Sequence, residues 1–428
     1  MLETEFRPKT DAARDTIKKA VSTLAREALK EGEVDPTDAT ATIKFLVRNL
    51  DDQLTKAVNA IIHHEDFQKL EGSWRGLQHM VSNTETDEQL KIRVLNISKK
   101  DIAKLLKKFK GTAWEQSPLF KKLYEEEYGT PGGEPYGCIV GDYEFDHSAP
   151  DVQILQGISQ IAAAAHTPFI SAASPRLMNM DSWQELSNPS DINKLFTSPE
   201  YAPWRSLRES EDARYMGLTL PRFLSRLPYG ASTNPVDDFD FEEEVNNDQK
   251  NFTWANAAYA MGANITRSFK LYGWCSQIRG VESGGSVEGL PCYTFPTDDG
   301  GVDMTCPTEI AITDRREAEM ARAGLMPLSF FKNTDYAVFI GAQSLQKPQE
   351  YDDPDATNWI RQYVEPDPSN ASDEAKARRP LAAAEVVVAD VEGNPGYYSA
   401  VFYLRPHYQL EGLSASLRLV SKLPTEKG

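Results

Sequence analysis

The N-terminal part of the chain repeats apolar positions with the spacing of amphipathic helices. Residues 11–31 carry an apolar side chain at every third or fourth position, and Gly32 ends the stretch. Residues 38–63 and 66–81 continue the same period after a short linker at 33–36. We therefore predict three helices, of which the first is short and tethered. Its narrow apolar stripe consists of Ile17, Val21, Leu24 and Ala28.

The first helix has two interpretations that the pattern of residues leaves open. An amphipathic helix beside a globular core usually packs its apolar stripe onto that core. A helix that is joined to the core by a linker can instead lay its stripe into a groove of a partner protein. The residues themselves favour neither interpretation.

The middle of the chain changes from helical to mixed periodicity. Residues 90–97 alternate as a strand, and Ser98 is placed to cap a basic helix over 99–110. From residue 137, a strand, a helix and a strand follow within about 35 residues, which is the pattern of a βαβ unit with parallel strands. These three elements are 138–143, 151–166 and 168–172. Further predicted elements are strands at 215–220, 310–312 and within 326–341, and a buried helix at 252–271.

The end of the chain has the period-2 alternation of β-strands. Residues 385–392 and 397–405 flank a turn at 393–396, and a third strand opens at Gly412. A small sheet at a chain end exposes an unpaired backbone edge. It therefore either joins a sheet of its own chain or is completed by a strand of another subunit. The apolar positions of these strands are Val386, Val388, Tyr398, Phe402, Leu404, Leu417 and Leu419.

Composition and charge narrow the class of protein. The chain has 428 residues and a net charge of −18, which repels phosphate backbones and anionic lipids and so disfavours nucleic-acid and membrane partners. No run of about 18 apolar residues predicts a membrane-inserted helix, and the N-terminus lacks the apolar core of a signal peptide. The cysteines form no CxxC motif, so we expect reduced thiols and a cytoplasmic location. They are Cys138, Cys275, Cys292 and Cys306.

The sequence contains no specific catalytic motif. Residues 273–307 form a long loop rich in glycine and aspartate, but they match neither a phosphate-binding loop nor a calcium loop. His63 and His64 are adjacent outside any HExxH motif, so we interpret them as a solvated pair at a helix end. We expect no enzyme activity, no catalytic residue, no metal and no cofactor. The alternative is a soluble α/β enzyme whose site lies in loop 280–303.

Several long stretches together resemble one protein family. The chain resembles the large sheath subunit of the bacterial type VI secretion system, the TssC/VipB family, from about residue 50 to its end. The stretches that carry the resemblance are 154–166 (ILQGISQIAAAAH), 185–189 (ELSNP), 204–214 (WRSLRESEDAR), 218–224 (LTLPRFL), 267–285 (RSFKLYGWCSQIRGVESGG), 295–300 (FPTDDG), 343–348 (QSLQKP) and 405–412 (RPHYQLEG).

The resemblance implies a structural protein with a mixed α/β fold of the α+β kind, akin to contractile phage tail sheaths. In this family the large subunit pairs with a small sheath subunit of the TssB/VipA type. The heterodimers stack as a six-start helical tube on a baseplate, around an inner tube of hexameric Hcp-type protein. The sheath contracts to propel the inner tube, and a ClpV-type AAA+ ATPase then disassembles it. A phage tail sheath protein, which assembles without a small partner, is a weaker alternative.

The resemblance also assigns roles to the two ends of the chain. It implies that residues 1–36 hold an ATPase-docking helix, with Ile17, Val21, Leu24 and Ala28 as its contact stripe. It implies a sheath core at 37–380, and C-terminal strands at 381–428 that are shared with neighbouring subunits. We therefore favour the interpretation that strands of neighbouring subunits complete the C-terminal sheet.

The chain departs from the family pattern at one junction. Between Thr357 and Asn358 the family carries a further helical segment, on the order of 50 residues. Either this member lacks the segment, or the sequence at hand omits it, and we favour the second interpretation. A Cα–Cα distance far above about 3.8 Å between these two residues is the expected sign of an omission.

Overall fold

The structure is a computed structural model. It describes residues 39–187, 191–246, 248–275, 277–296, 301–331, 334–347, 359–372, 375–376, 379–390, 397–407 and 417–424, with isolated positions near the N-terminus. The chain forms two compact units, Met1–Lys347 and Pro348–Gly428, which we describe separately. The three-part division made from the sequence, with boundaries at 36 and 380, stays a prediction.

The first unit begins with helices, as its periodicity predicts. They are α1 (Ala39–Ile62), α2 (Glu65–Ser82) and α3 (Lys99–Lys108), and residues 118–128 form a further helical segment. The predicted cap of α3 is confirmed, because the side chain of Ser98 accepts a hydrogen bond from the Asp101 amide. The remaining helices are α4 (Ala149–Ala164), α5 (Ile192–Thr197), α6 (Ala202–Glu209), α7 (Ala257–Tyr272) and α8 (Asp314–Arg322).

A mixed six-stranded sheet forms the centre of the first unit. In the order of the sheet, its strands are β1 (Ile139–Phe145), β2 (Phe169–Ala173), β3 (Met216–Leu220), β9 (Met326–Phe330), β10 (Ala337–Phe339) and β6 (Ser286–Val287). The pairs β1–β2, β2–β3 and β3–β9 are parallel, whereas β9–β10 and β10–β6 are antiparallel. The predicted βαβ unit is therefore confirmed. Two further pairs of short strands are β4 (Phe223–Leu224) with β5 (Trp254–Ala255) and β7 (Thr294–Pro296) with β8 (Val302–Met304).

Helices cover both faces of this sheet. The neighbouring β2 residues Phe169 and Ile170 belong to different apolar clusters, because successive strand residues point to opposite faces. The cluster of Phe169 includes α4, and the cluster of Ile170 includes α7. All five residues of β2 and of β3 are buried, as expected for strands covered on both faces.

Three predictions about local structure are wrong. Residues 90–97 form no strand, because no described segment pairs with them. The apolar helix begins at Ala257 instead of 252, since the Asn256 side chain caps it and the residues before it pair with β4. Residues 310–312 are likewise not a strand, and the helix α8 that follows them was not predicted.

A three-stranded antiparallel sheet is the largest element in the described part of the second unit. It consists of β11 (Leu381–Asp390), β12 (Tyr397–Pro406) and β13 (Leu417–Pro424), in that order. This confirms the number and order of the strands that alternation predicts. The fold class is thus mixed α/β, with mixed and antiparallel sheets, as expected.

Candidate assembly surfaces

The C-terminal sheet brings all seven predicted contact positions to one face. Directly opposite residues in antiparallel strands lie on the same side of a sheet. The register pairs Val386 with Phe402, and Phe402 with Leu419, so these three positions form one row across the sheet. Leu404 pairs with Leu417 in the next row. Val388 and Tyr398 lie an even number of residues from these positions on their own strands, and therefore on the same face.

The two faces of this sheet differ in exposure. On the predicted contact face, Val386, Phe402 and Leu404 are half-buried. On the opposite face, Val387 is 44% and Tyr403 39% exposed. None of the β11 and β12 side chains whose burial is described is fully buried, in contrast to every residue of β2 and β3. This sheet therefore has no finished core of its own within the described residues.

The edges of the C-terminal sheet are only partly covered. Leu381 at the start of β11 exchanges backbone hydrogen bonds with Tyr363 and Glu365. Further along β11, and along the outer side of β13, the described residues supply no further strand. These edges therefore offer backbone donors and acceptors for an added strand.

The predicted docking stripe of the N-terminal helix cannot be placed. Ile17, Val21, Leu24 and Ala28 lie outside the described residues, and so does the junction between Thr357 and Asn358. Their roles stay predictions.

Helices α1 and α2 turn much of their apolar surface outwards. Leu54 of α1 is 47% exposed, and Trp74 of α2 is 65% exposed. Large apolar side chains that cluster at the surface mark sites of protein association. Further exposed apolar residues on these helices are Phe45, Val47, Leu50, Ile61, Phe67, Leu70 and Val81. Helical periodicity identified most of these residues, but it gave no sign that they remain uncovered.

A buried cluster of charged side chains, which the sequence did not reveal, attaches α2 to the part of the first unit that follows β4. The guanidinium group of Arg226 lies between the carboxylates of Glu71 and Glu243, with Nε–Oε1 and Nη1–Oε2 distances of 2.7 and 2.6 Å. The Arg226 side chain is only 5% exposed and that of Glu243 only 1%. Glu71 belongs to α2 and also accepts a hydrogen bond from Arg75. The cluster therefore joins α2, residue 226 and the acidic loop 239–248.

The electrostatics of the cluster favour its charged form. Burial is the largest single influence on both groups, raising the pKa of Glu71 and lowering that of Arg226. The opposing hydrogen bonds and charges outweigh burial, so the pKa of Glu71 lies below its ordinary value and that of Arg226 above it. The lowered pKa of Glu71 and the raised pKa of Arg226 both favour a charged ion pair between these two residues.

The acidic loop also contacts α1 directly, which corrects the interpretation of His63. The Asn59 side chain donates to the Glu242 carbonyl and accepts from the Glu244 amide, both at 3.0 Å. His63 lies 3.4 Å from a carboxylate oxygen of Glu243, with its side chain only 17% exposed. His64 remains in solvent, with 66% of its side chain exposed. The two histidines are therefore not a solvated pair.

The long loop proposed as an alternative enzyme site is tied down by structural contacts. The guanidinium of Arg267 donates to the carbonyls of Gly284 and Ser286, at 2.8 and 2.9 Å. Gly285 lies so close to backbone atoms of Gly280 and Phe339 that a Cβ would approach them to 2.5 Å. Gly285 thus permits close packing of the backbone at this point of the loop.

The described residues lack two further features, one of metal-binding sites and one of membrane proteins. Within the described ranges, no group of three or more His, Cys, Asp or Glu side chains is arranged to hold a metal ion. Among the same residues, no helix combines the length and the apolar character needed to cross a bilayer.

Comparison with known proteins identifies the family. Residues 44–346 match a family model described as the EvpB/VC_A0108 tail sheath N-terminal domain. Residues 344–423 match a second one, described as the tail sheath gpW/gp25-like domain. The chain belongs to the VipB tail-sheath family. The border between these two matches falls close to the border between the two compact units at Lys347.

A curated relative supports this membership over the full chain. A protein named "Type VI secretion system sheath protein TssC1", from Pseudomonas aeruginosa, is 61% identical to this chain. The alignment covers 100% of this chain and 95% of the relative. It spans 472 positions against the 428 residues present here, a difference of 44 positions. The relative therefore carries residues that have no counterpart in this sequence, and the segment expected after Thr357 stays a prediction.

Proposed function

We propose that this VipB-family chain is the large subunit of a contractile type VI secretion sheath and has no enzymatic role. The observation that carries the proposal is the C-terminal sheet, whose two outer edges are largely unpaired and whose described β11 and β12 side chains are never fully buried. Such a sheet gains stability when strands of other chains extend it and other subunits cover it. A subunit of this kind is completed by assembly.

The proposed assembly follows from family membership. The chain pairs with a small TssB/VipA-type subunit, and the heterodimers form a helical six-start tube in the cytoplasm. This tube encloses an Hcp-type inner tube, grows on a baseplate and contracts to propel the inner tube. Shared backbone ladders suit such motion, because they keep subunits connected while the bodies between them rotate and form new contacts.

The test is coexpression of the chain with its small partner, followed by purification and negative-stain electron microscopy. We expect a soluble complex that forms tubes, whereas the chain expressed alone should aggregate. A compact, soluble oligomer formed by the chain alone would contradict the proposal. Tubes formed without the small partner would favour the phage-type sheath instead.

The proposed disassembly depends on the N-terminal helix. We place the docking stripe for a ClpV-type ATPase on Ile17, Val21, Leu24 and Ala28. Replacing Val21 and Leu24 with aspartate puts two charges into this stripe, and each should disfavour burial in an apolar groove. We expect ATPase binding to contracted sheaths to fall by roughly tenfold or more in a co-sedimentation assay.

The control for this experiment replaces Ser22 and Thr23 with aspartate, at neighbouring positions outside the stripe. These substitutions should leave ATPase binding near its original level. Unchanged binding by the Val21→Asp, Leu24→Asp variant would remove the docking role from this helix.

A further inference from the structure

Two of the four cysteines lie opposite each other at the end of the β7–β8 ladder. The two strands pair in an antiparallel register. Just beyond them, and in the same register, the Thr305 amide donates to the Tyr293 carbonyl at 2.7 Å. One further residue along each strand sets Cys292 opposite Cys306. The register thus brings together two thiols that are 14 positions apart in the sequence.

This pair is of the kind in which antiparallel strands approach most closely. Hydrogen-bonded pairs alternate with non-hydrogen-bonded pairs along an antiparallel ladder. The bond between Thr305 and Tyr293 makes theirs a hydrogen-bonded pair, so the next pair, Cys292 with Cys306, is of the other kind. The Cα atoms of such a pair are about 4.5 Å apart. A disulfide joins Cα atoms that are about 4.4–6.8 Å apart, so the backbone spacing suits one.

The two thiols also share one side of the ladder. Directly opposite residues of antiparallel strands point to the same face. Burial raises the pKa of Cys292, and the charges of Asp335 and Cys306 raise it further, which places the Cys306 thiol near that of Cys292. Both cysteines are half-buried, so a small oxidant can reach them from solvent.

Only weak contacts hold the two sulfur atoms in their reduced positions. The Cys292 thiol donates to the carbonyls of Leu290 and Thr334, at 3.4 and 3.8 Å. The sulfur of Cys306 lies 3.1 Å from the hydroxyl oxygen of Thr308. A thiol is a weak hydrogen-bond donor, so rotation of either side chain towards the other gives up little.

The backbone next to both cysteines is anchored to the rest of the first unit. The Leu290 amide donates to the Asp335 carbonyl at 3.0 Å, two residues before Cys292. The Leu224 amide donates to the Pro307 carbonyl at 2.8 Å, one residue after Cys306. These bonds keep the two residues in register while their thiols are free.

We propose that Cys292 and Cys306 are a modification site, at which a peroxide converts the two thiols into a reversible disulfide. One thiol loses its proton and attacks an oxygen of hydrogen peroxide. The O–O bond breaks, the sulfur becomes a sulfenic acid, and the departing hydroxide takes up the proton as water. The second thiol then attacks this sulfur, and the hydroxyl group leaves with its proton as a second water. Two thiols and one peroxide thus give one disulfide and two waters.

The reduced pair is the resting state in a reducing compartment, and the disulfide is of the transient kind. Two molecules of a small thiol such as glutathione restore both cysteines by thiol–disulfide exchange and leave as their own disulfide. Burial raises the pKa of both thiols, and the thiolate is the reactive form, so oxidation at neutral pH is slow. The bond closes residues 293–305 into a ring and fixes the spacing of β7 and β8. The inference is independent of the proposed function, because it concerns the chemistry of this chain alone.

Peptide mass spectrometry tests the bond directly. The full chain, in whichever form is soluble, is treated with hydrogen peroxide, alkylated and digested with trypsin. Cleavage after Arg279 and Arg315 leaves Cys292 and Cys306 on one peptide, whereas Cys138 and Cys275 lie on two others. We expect peptide 280–315 to lose the mass of two hydrogen atoms, to resist alkylation, and to regain both thiols with dithiothreitol. Two alkylated cysteines, or a disulfide to another peptide, would overturn the inference.

A matched pair of variants tests whether the register creates the site. Thr305→Cys combined with Cys306→Ser keeps two thiols on the same peptide but moves one to the opposite face of the strand. We expect this variant to form at least about tenfold less disulfide under the same peroxide treatment. Cys275→Ser, which leaves the register pair intact, should form as much as the unchanged chain. Equal yields from the shifted and the unchanged pair would show that the register does not select these cysteines, and would overturn the site.

Discussion

The two sheets of this molecule differ in how far the chain finishes them. The six-stranded sheet has helices on both faces, and each residue of β2 and β3 is buried. In the C-terminal sheet, the side chains of β11 and β12 with described burial remain half-buried or exposed. The strands of both sheets contain many apolar residues, so composition does not explain the difference in burial. What differs is whether the chain itself supplies a covering layer.

The difference between the two sheets distinguishes substitutions that affect folding from substitutions that affect assembly. A substitution in the central sheet acts on the stability of the subunit, because its side chains already have all their neighbours. We expect a substitution on the predicted contact face of the C-terminal sheet to act instead on the subunit contacts of the proposed tube. Variants in the two regions should therefore fail in different assays.

The largest expected effect is on assembly through the C-terminal sheet. Phe402→Asp places a charge on the half-buried face of β12, in the row of Val386 and Leu419. We expect tube formation with the small subunit to fall at least about tenfold, since an unpaired charge resists burial. Tube density is counted by electron microscopy.

The control for this variant is Tyr403→Asp, on the exposed face of the same strand. It should leave tube density nearly unchanged. Normal tubes from Phe402→Asp would remove the predicted face from the subunit contact.

The next effect is on stability, through the buried ion cluster. Arg226→Met leaves Glu71 and Glu243 without their shared cation, and losing one partner of a buried pair costs about 3–5 kcal/mol. We expect a lower thermal unfolding midpoint of the soluble complex, by light scattering or calorimetry. Arg75→Met removes only the more exposed partner of Glu71 and should cost about 1 kcal/mol or less. Equal losses from the two variants would contradict the central role of Arg226.

A smaller effect is expected where α2 approaches the core. A Cβ at Gly72 would lie 2.3 Å from the backbone oxygen of Trp254, which cannot move aside as a side chain can. Gly72→Ala gains about 1 kcal/mol of helix propensity but should still destabilise, since overpacking costs about 1–3 kcal/mol. Gly137→Ala has open space around it and serves as the neutral control. Increased stability of Gly72→Ala in thermal unfolding would show that α2 is not closely packed.

The smallest effect is the pH dependence of Glu71. Its pKa is lower in the folded chain than in the unfolded chain, so its stabilising contribution is complete above the unfolded pKa of about 4.5. The contribution is lost as the pH falls through the lower folded value. Glu71→Gln should therefore flatten the decline of the unfolding midpoint below about pH 4.5, compared with the unchanged chain. A decline of the same steepness in both would contradict the charged form of the cluster.

Local patterns predicted much of this fold. Helical spacing gave α1 and α2, the Ser98 cap gave the start of α3, and apolar strands around α4 gave the parallel unit. The alternation after residue 385 gave the C-terminal strands, whereas the face shared by the seven apolar positions follows from the strand register in the structure. These features depend on neighbours in sequence, which periodicity describes well.

Features that depend on distant residues were not predictable in this way. The contact of Arg226 with Glu71 joins residues 155 positions apart. Alternation also does not show whether a segment finds a partner strand. It therefore predicts a strand at residues 90–97, although no described segment pairs with them. The outward-facing stripes of α1 and α2 are the same case, because periodicity identifies an apolar face but not what covers it.

The Arg226 cluster also sets the order in which the subunit would give way under mechanical tension. A pulling force applied at the N-terminus reaches α1 first, and α1 is fastened to the acidic loop through Asn59. Beyond it, Glu71 fastens α2 to Arg226 and, through Arg226, to Glu243. Unravelling from this end would therefore separate Glu71 from the buried Arg226 before it reached the strands of the six-stranded sheet.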